Sequence, residues 1–239
     1  MVLTKDKILQ IQQSNHRVIF FDQNGFNSTL SQNLGCVETD ILSEYGVVDE
    51  FLAGNKISKL VIVNLGFNLK IHLNLEKNQN LQMLYFGFGS GDFVLDVNLI
   101  GEDSKLILST LLDLENDIKN NTQITIHHQA SKTDSSCNFK NIISDNAKLI
   151  LNTQIQVDSN IYQINSSLKI KTLKLSSLAN ISVRPDLKIY SKEVNCSHSN
   201  TISNLDKDQL FYLNSRGLDN FQAQNIILQG FASDIYTIL

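Results

Sequence analysis

From Lys59 onward the chain is written in short runs that alternate apolar and polar residues: Leu60-Val61-Ile62-Val63, Leu69-Lys70-Ile71-His72-Leu73, residues 81–88 and Phe93-Val94-Leu95-Asp96-Val97. Alternation with a period of two sends successive side chains to opposite faces, so each run predicts a strand with one face in a core. The same phrase recurs at Ser104-Lys105-Leu106-Ile107-Leu108, Thr122-Gln123-Ile124-Thr125-Ile126, Ala147-Lys148-Leu149-Ile150-Leu151 and Ala179-Asn180-Ile181-Ser182-Val183. Asn, Asp, Ser and Gly fill the intervals, as turns require. Residues 59–204 carry no intervening helical stretch. The pattern therefore predicts a stacked-rung solenoid or a sandwich, and leaves both open because the spacing between phrases is irregular.

The chain reads differently at its two ends. Residues 1–58 mix short apolar patches, such as Val18-Ile19-Phe20-Phe21, with polar turns and room for a short helix over residues 39–45. They form a lead-in. Near Leu205 the period changes to that of a helix. Asp206 is placed to cap the start of a helix over residues 207–216, with Leu210, Phe211 and Leu213 at helical spacing, and Gly217 stands where a left-handed C-terminal cap is needed. A second helix is predicted after Asp219, its apolar stripe formed by Phe221, Ala223, Ile226, Ile227, Gly230, Phe231 and Ile235. The expected organisation is a lead-in (1–58), a β core (59–204) and a C-terminal helical hairpin (205–239).

Composition narrows the function classes. At 239 residues and 42% hydrophobic content the chain is long enough to bury a sizeable core without disulfides. A formal charge of -4, spread without blocks of one sign, gives no footprint for nucleic acid. The first residues carry Lys5, Asp6 and Lys7 and no continuous apolar run, which predicts a cytoplasmic protein with no membrane partner. Three cysteines, Cys36, Cys137 and Cys196, are too few for a disulfide framework and predict reduced thiols.

The densest candidate chemistry is Val194-Asn195-Cys196-Ser197-His198. In a strand, residues two apart share a face, so the Cys196 thiol and the His198 imidazole stand on one side, and that donor pair suits iron or zinc. A tetrahedral metal needs more than two protein ligands, so the rest must come from elsewhere, from a partner or from solvent. The alternative reading is a buried cysteine beside a surface histidine. His127 and His128 are adjacent and face opposite sides of a strand, so at most one joins any site; Cys137 could lie near one of them on the next rung. Cys36 and His72 have no sequence companion. No phosphate-cradling glycine loop, HExxH or nucleophile-elbow serine is present, and the rungs lack the clustered carboxylates of a carbohydrate-active β-helix.

Pro185-Asp186-Leu187-Lys188-Ile189-Tyr190, then the Cys-Ser-His segment, then Asp208-Gln209-Leu210-Phe211-Tyr212-Leu213 with Ser215-Arg216-Gly217 and the closing Gly230-Phe231, resemble the SufB/SufD family of iron-sulfur cluster assembly proteins. Upstream, His127-His128 and Ser131-Lys132-Thr133 are similar to the family's histidine and threonine segment, and the resemblance runs over roughly residues 124–235. It implies a mainly β protein, a right-handed parallel β-helix with a C-terminal α-helical hairpin. It also implies a non-catalytic scaffold role. The partners would be a SufB-like subunit, paired through β-helix strands, and a SufC-like ATPase that carries out the nucleotide chemistry. The ATPase would dock on the helical hairpin, where the recurring residues are Gln209, Leu210, Phe211, Tyr212, Arg216 and Gly217. Iron or a nascent iron-sulfur cluster would sit at the heterodimer interface, where Cys196 and His198 match the residues implicated in the SufD branch. Ile170 occupies the position of the sulfur-accepting cysteine of SufB-like chains, and Ser197 and Ser199 stand where those chains are acidic; both differences favour the SufD branch. Two departures stand out: Ser199 replaces the glycine usual after the histidine, and the lead-in is far shorter than the family's N-terminal helical region.

Overall fold

The computed structural model describes residues 59–236 and, before them, the backbone of three short strands. The predicted helix at residues 39–45 and Cys36 lie outside the described residues. In chain order the elements are β1 (Arg17–Asp22), β2 (Gly25–Phe26), β3 (Val47–Val48), β4 (Lys59–Asn64), β5 (Leu69–Leu75), β6 (Asn80–Gly87), β7 (Gly91–Leu99), β8 (Lys105–Leu114), β9 (Lys119–His128), β10 (Asp134–Ile143), β11 (Lys148–Val157), β12 (Ile164–Lys174), β13 (Asn180–Ile189), β14 (Val194–Asn204), α1 (Lys207–Ser215) and α2 (Asn220–Tyr236).

From β4 on, successive strands alternate between two sheets. One runs β14-β12-β10-β8-β6-β4-β1-β2 and the other β13-β11-β9-β7-β5-β3. Every pairing among β4–β14 is parallel, so the chain crosses to the facing sheet and returns one rung further along. This is a β-solenoid and not a sandwich. The lead-in shares in it, since β1 pairs parallel with β4 and β3 with β5. The irregular spacing seen in the sequence has a simple source. Equivalent side chains on neighbouring rungs bond across 24 residues at Asn98–Asn74, across 29 at Asn121–Asp92 and across 31 at Asn165–Asp134, so the turns lengthen along the chain.

The corners explain the Asn- and Asp-rich intervals. Asn78, Asp103, Asn116, Asp145 and Asn160 all have positive φ, between 49° and 63°, in the left-handed region these residues tolerate best. At Gly101 a Cβ would stand 2.0 Å from the backbone nitrogen of Lys77, so stacked corners there require glycine. Pro185 lies within β13, the terminal strand of its sheet, where a missing ladder donor is tolerated.

Inward side chains form one continuous core that includes Leu73, Phe93, Leu108, Phe139, Leu151 and Ile170. Tyr85 stacks on Phe93 at 3.7 Å between ring centroids and bonds its hydroxyl to Asn64. A second cluster lies outside the sheet: Val61, Val63, Leu84, Phe86, Leu111, Ile142 and Leu173 meet Leu228, Ala232 and Ile235 of α2. Burying a Leu or Ile side chain contributes about 1.5–3 kcal/mol, so this face is enough to fix α2 on the solenoid. A polar latch accompanies it. Lys140 of β10 is 6% exposed, pairs with Asp234 at 2.5 Å, donates to the Phe231 carbonyl and lies 4.9 Å from the centroid of the Phe231 ring.

The helix ends are as the sequence reads. Asp206 accepts hydrogen bonds from the Asp208 and Gln209 amides, Gly217 has φ +93°, and Asp219 with Gln222 forms a reciprocal capping box. The predicted stripe of α2 needs correction. Ala223 and Ile235 are buried, but Phe221 and Ile226 are exposed, while Leu228 and Ala232, which the stripe left out, face the sheet. The helix is apolar over more of its circumference than one partner covers, so periodicity alone did not single out the buried side.

The solenoid interior is not wholly apolar. His128 is completely buried, with Nδ1 2.7 Å from Thr133 Oγ1 and Nε2 2.9 Å from Ser135 Oγ, and Ser135 Oγ lies 2.6 Å from Ser166 Oγ. Burial pushes the imidazole down to about 4, against the weaker upward pull of Asp134. A histidine held neutral in the fold but free to protonate when unfolded contributes stability that is complete above pH 6.5 and is lost as pH falls toward 4. Urea denaturation should therefore show a loss on the order of 3 kcal/mol across that window, with a flatter profile for His128→Asn. Identical slopes for the two proteins would assign the acid sensitivity to another group.

Candidate functional site

β14 is the last rung and the free edge of its sheet. Its inward residues have a neighbouring rung on one side only, and its burial falls accordingly: Val194 and Cys196 are partly covered and His198 is exposed. Register fixes what lies beneath them. Cys196 stands opposite Ser166 and His198 opposite Leu168 in β12, and these in turn lie opposite Ser135 and Cys137 in β10. Ser166 and Leu168 are both buried, and Cys196 and Val194 pack against the interior core. The Cys-Ser-His segment thus sits with its cysteine and histidine on the inward side of the open end of the solenoid. Strand rise places their Cα atoms about 7 Å apart, close enough for one thiol and one imidazole to approach a common ion.

Burial pushes the Cys196 thiol up, so a metal must displace its proton. Among the described residues no group of three or more His, Cys, Asp or Glu side chains converges on one point. The donors present therefore fit iron as part of a coordination sphere, soft sulfur with imidazole, and do not complete one.

The other sequence candidates are separated from this pair. His127 faces outward, bonded to Asp158 at 2.7 Å and to Gln156 at 3.1 Å, while His128 points inward, as adjacency on a strand requires. Cys137 is buried in the core, which drives its thiol strongly toward the protonated form. Ile170 is fully buried and lies opposite Asn200 of β14. His72 pairs with Asp96 at 3.2 Å on the outer face of the other sheet. Sequence reading missed two features near the site: the buried chain from Thr133 to Ser166, and Lys140. Ser135 and Ser166 are partners 31 residues apart, a relation that varying rung length hides.

On the hairpin, Phe211 is 74% and Tyr212 56% exposed, and Phe221 and Ile226 are exposed nearby. Arg216 lies 5.2 Å from the centroid of the Tyr212 ring. Between the hairpin and the sheet runs an open groove of about 740 Å³, lined by Leu173, Gln209, Tyr212, Leu213, Ile227 and Phe231 among others. Leu210 is partly covered, and Gln209 and Gly217 sit at the hairpin surface. No described helix is long and apolar enough to cross a membrane.

Known proteins are similar to this chain in sequence. The iron-sulfur cluster assembly protein SufD of Escherichia coli is 30% identical over 138 residues, which cover 57% of this chain and 32% of the relative. A SufBD family protein of Synechocystis is 28% identical over 177 residues, 74% of this chain and 34% of its own length. The chloroplastic protein ABCI7 of Arabidopsis thaliana is 29% identical over 94 residues, 39% of this chain and 20% of the relative. The matched part is thus about a third or less of each relative. A family model described as the SufBD core domain of SUF system FeS cluster assembly matches residues 68–231, from the rung of β5 into α2, and the chain therefore belongs to the SufBD family.

Proposed function

We propose that this chain is a SufD-like, non-catalytic scaffold subunit of a cytoplasmic SufBCD-type complex, in which Cys196 and His198 supply a thiolate and an imidazole to iron or to a nascent cluster. The observation that carries the proposal is their position: two residues apart, on the inward side of the terminal edge strand, with no third ligand beside them among the described residues. A half-complete donor set at a free sheet edge suits a site finished by a SufB-like partner that pairs along the same edge. The apolar Ile170 in the interior, in place of a sulfur-accepting cysteine, supports the SufD branch. The cluster is cargo in this reading, and ATP hydrolysis belongs to the SufC-like partner.

The hairpin, residues 205–239, is proposed as the ATPase-docking unit, with 59–204 as the β-helix and 1–58 as a lead-in. Exposed aromatics beside an arginine, here Phe211, Tyr212 and Arg216, are typical interface anchors. Gln209, Leu210 and Gly217 complete the surface. A second reading, an interaction module that touches no metal, draws on the same missing third ligand.

Replacing Cys196 or His198 by Ala should reduce cluster assembly by the reconstituted three-protein complex to background, with heterodimer formation intact. Undiminished assembly would leave the interaction-module reading. Phe211→Ala should weaken ATPase binding roughly tenfold by calorimetry without loss of thermal stability, because the side chain is exposed. Unchanged affinity in Phe211→Ala and Arg216→Glu alike would place the docking surface elsewhere.

A further inference from the structure

Gly230 lies in the interior of α2, where glycine is among the least favourable helix residues. Its backbone is not left-handed. A Cβ there would meet nothing within 4 Å, whereas at Gly87, Gly89 and Gly101 it would stand 2.6 Å or less from a neighbouring atom. Among the described residues, then, neither packing nor backbone conformation demands this glycine. It opens onto the groove of about 740 Å³ between the hairpin and the sheet. That groove is built on a second face of α2: Leu228, Ala232 and Ile235 meet the sheet, while Ile226, Ile227, Gly230 and Phe231 turn to the groove. Tyr212 and Leu213 of α1 form the opposite wall. The charged residues along it, Asp206 and Asp208, are both acidic, stand at the start of α1, and are in no ion pair among the described residues.

We infer that this groove seats an amphipathic helix of the ATPase partner, its apolar side against Ile227 and Phe231, its backbone brought close to α2 at Gly230, and a lysine or arginine turned toward Asp208. The seat rests on the reading of the hairpin as the ATPase-docking unit and deepens it, extending the contact from the exposed Phe211 and Arg216 inward through Tyr212, which belongs to both surfaces. A helix laid apolar side down in a groove is a recurring mode of recognition, and glycine lets a second backbone approach. A basic side chain on the incoming helix supplies the charge the two carboxylates call for. A second copy of this chain does not offer it: α2 carries no lysine or arginine, and α1 has only Lys207 at its first position. The groove is also walled by Ser203 and Asn204, so its occupant touches β14, the strand that carries Cys196 and His198.

The test sets two readouts against each other in the full-length chain: the Tm of the free protein, and its calorimetric affinity for the SufC-like ATPase of the same organism. Gly230→Ala should raise Tm by about 2–4 °C, because alanine favours the helix and its methyl meets nothing, and should weaken binding about tenfold. Gly230→Leu should abolish measurable binding, and Asp208→Lys should weaken it most at low salt. Unchanged affinity in Gly230→Ala and Asp208→Lys would overturn the inference, whether or not Gly230→Leu folds. In that case a loss of affinity in Phe211→Ala leaves the docking reading standing, while a wild-type chain that binds no ATPase removes both. A fall in Tm for Gly230→Ala would assign the glycine to the helix's own packing and also overturn the inference. So would a wild-type chain that sediments as a dimer and becomes monomeric in Gly230→Leu, since a second copy then fills the groove.

Discussion

Each turn of the solenoid buries its inward side chains only because the turns before and after it present the same columns in the same register. Leu106, Ser135, Ser166 and Cys196 stack in one such column, and Leu108, Cys137, Leu168 and His198 in another. A one-residue slip would turn every inward side chain out, so the columns and the backbone ladders hold each other in place. The same constraint leaves the final rung incomplete. β14 has a neighbour on one side only, and whatever it carries inward is half covered.

That incompleteness gives the Cys-Ser-His segment its character. Deeper in the stack, Cys137 sits in the same kind of environment and is fully sealed, its thiol held protonated by burial. On the last rung, the same geometry yields Cys196, partly covered, and His198, exposed. Position along the stack, and not residue type, separates an inert core cysteine from a candidate ligand. The helical hairpin is joined to the stack by a different means, an apolar face reinforced by the Lys140–Asp234 pair, which leaves Phe211 and Tyr212 free on its outer surface.

Much of this is legible in the sequence. The period-two runs mark most strands, and Asp206, Gly217 and Asp219 mark the helix ends where they are found. The expectation of opposite faces for His127 and His128 also holds. Sandwich and solenoid could not be told apart by pattern, because the choice depends on parallel pairing between strands about 30 residues apart, and strand periodicity does not encode a partner. β10 reads poorly for a second reason. Its inward Ser135 joins a buried polar chain and its outward Lys140 and Ile142 lie under α2, so polar and apolar positions do not map onto out and in. The pairing of Ser166 with Cys196 is likewise a matter of register, and invisible until the rungs are stacked.

The central claim is that the last rung supplies half of an iron site and a partner subunit the other half. Iron-edge X-ray absorption of the iron-loaded heterocomplex tests it most directly. The account predicts sulfur and nitrogen scatterers in the first coordination shell, with a nitrogen contribution that drops in His198→Ala and a sulfur contribution that drops in Cys196→Ala. Spectra that are the same in all three proteins would contradict it.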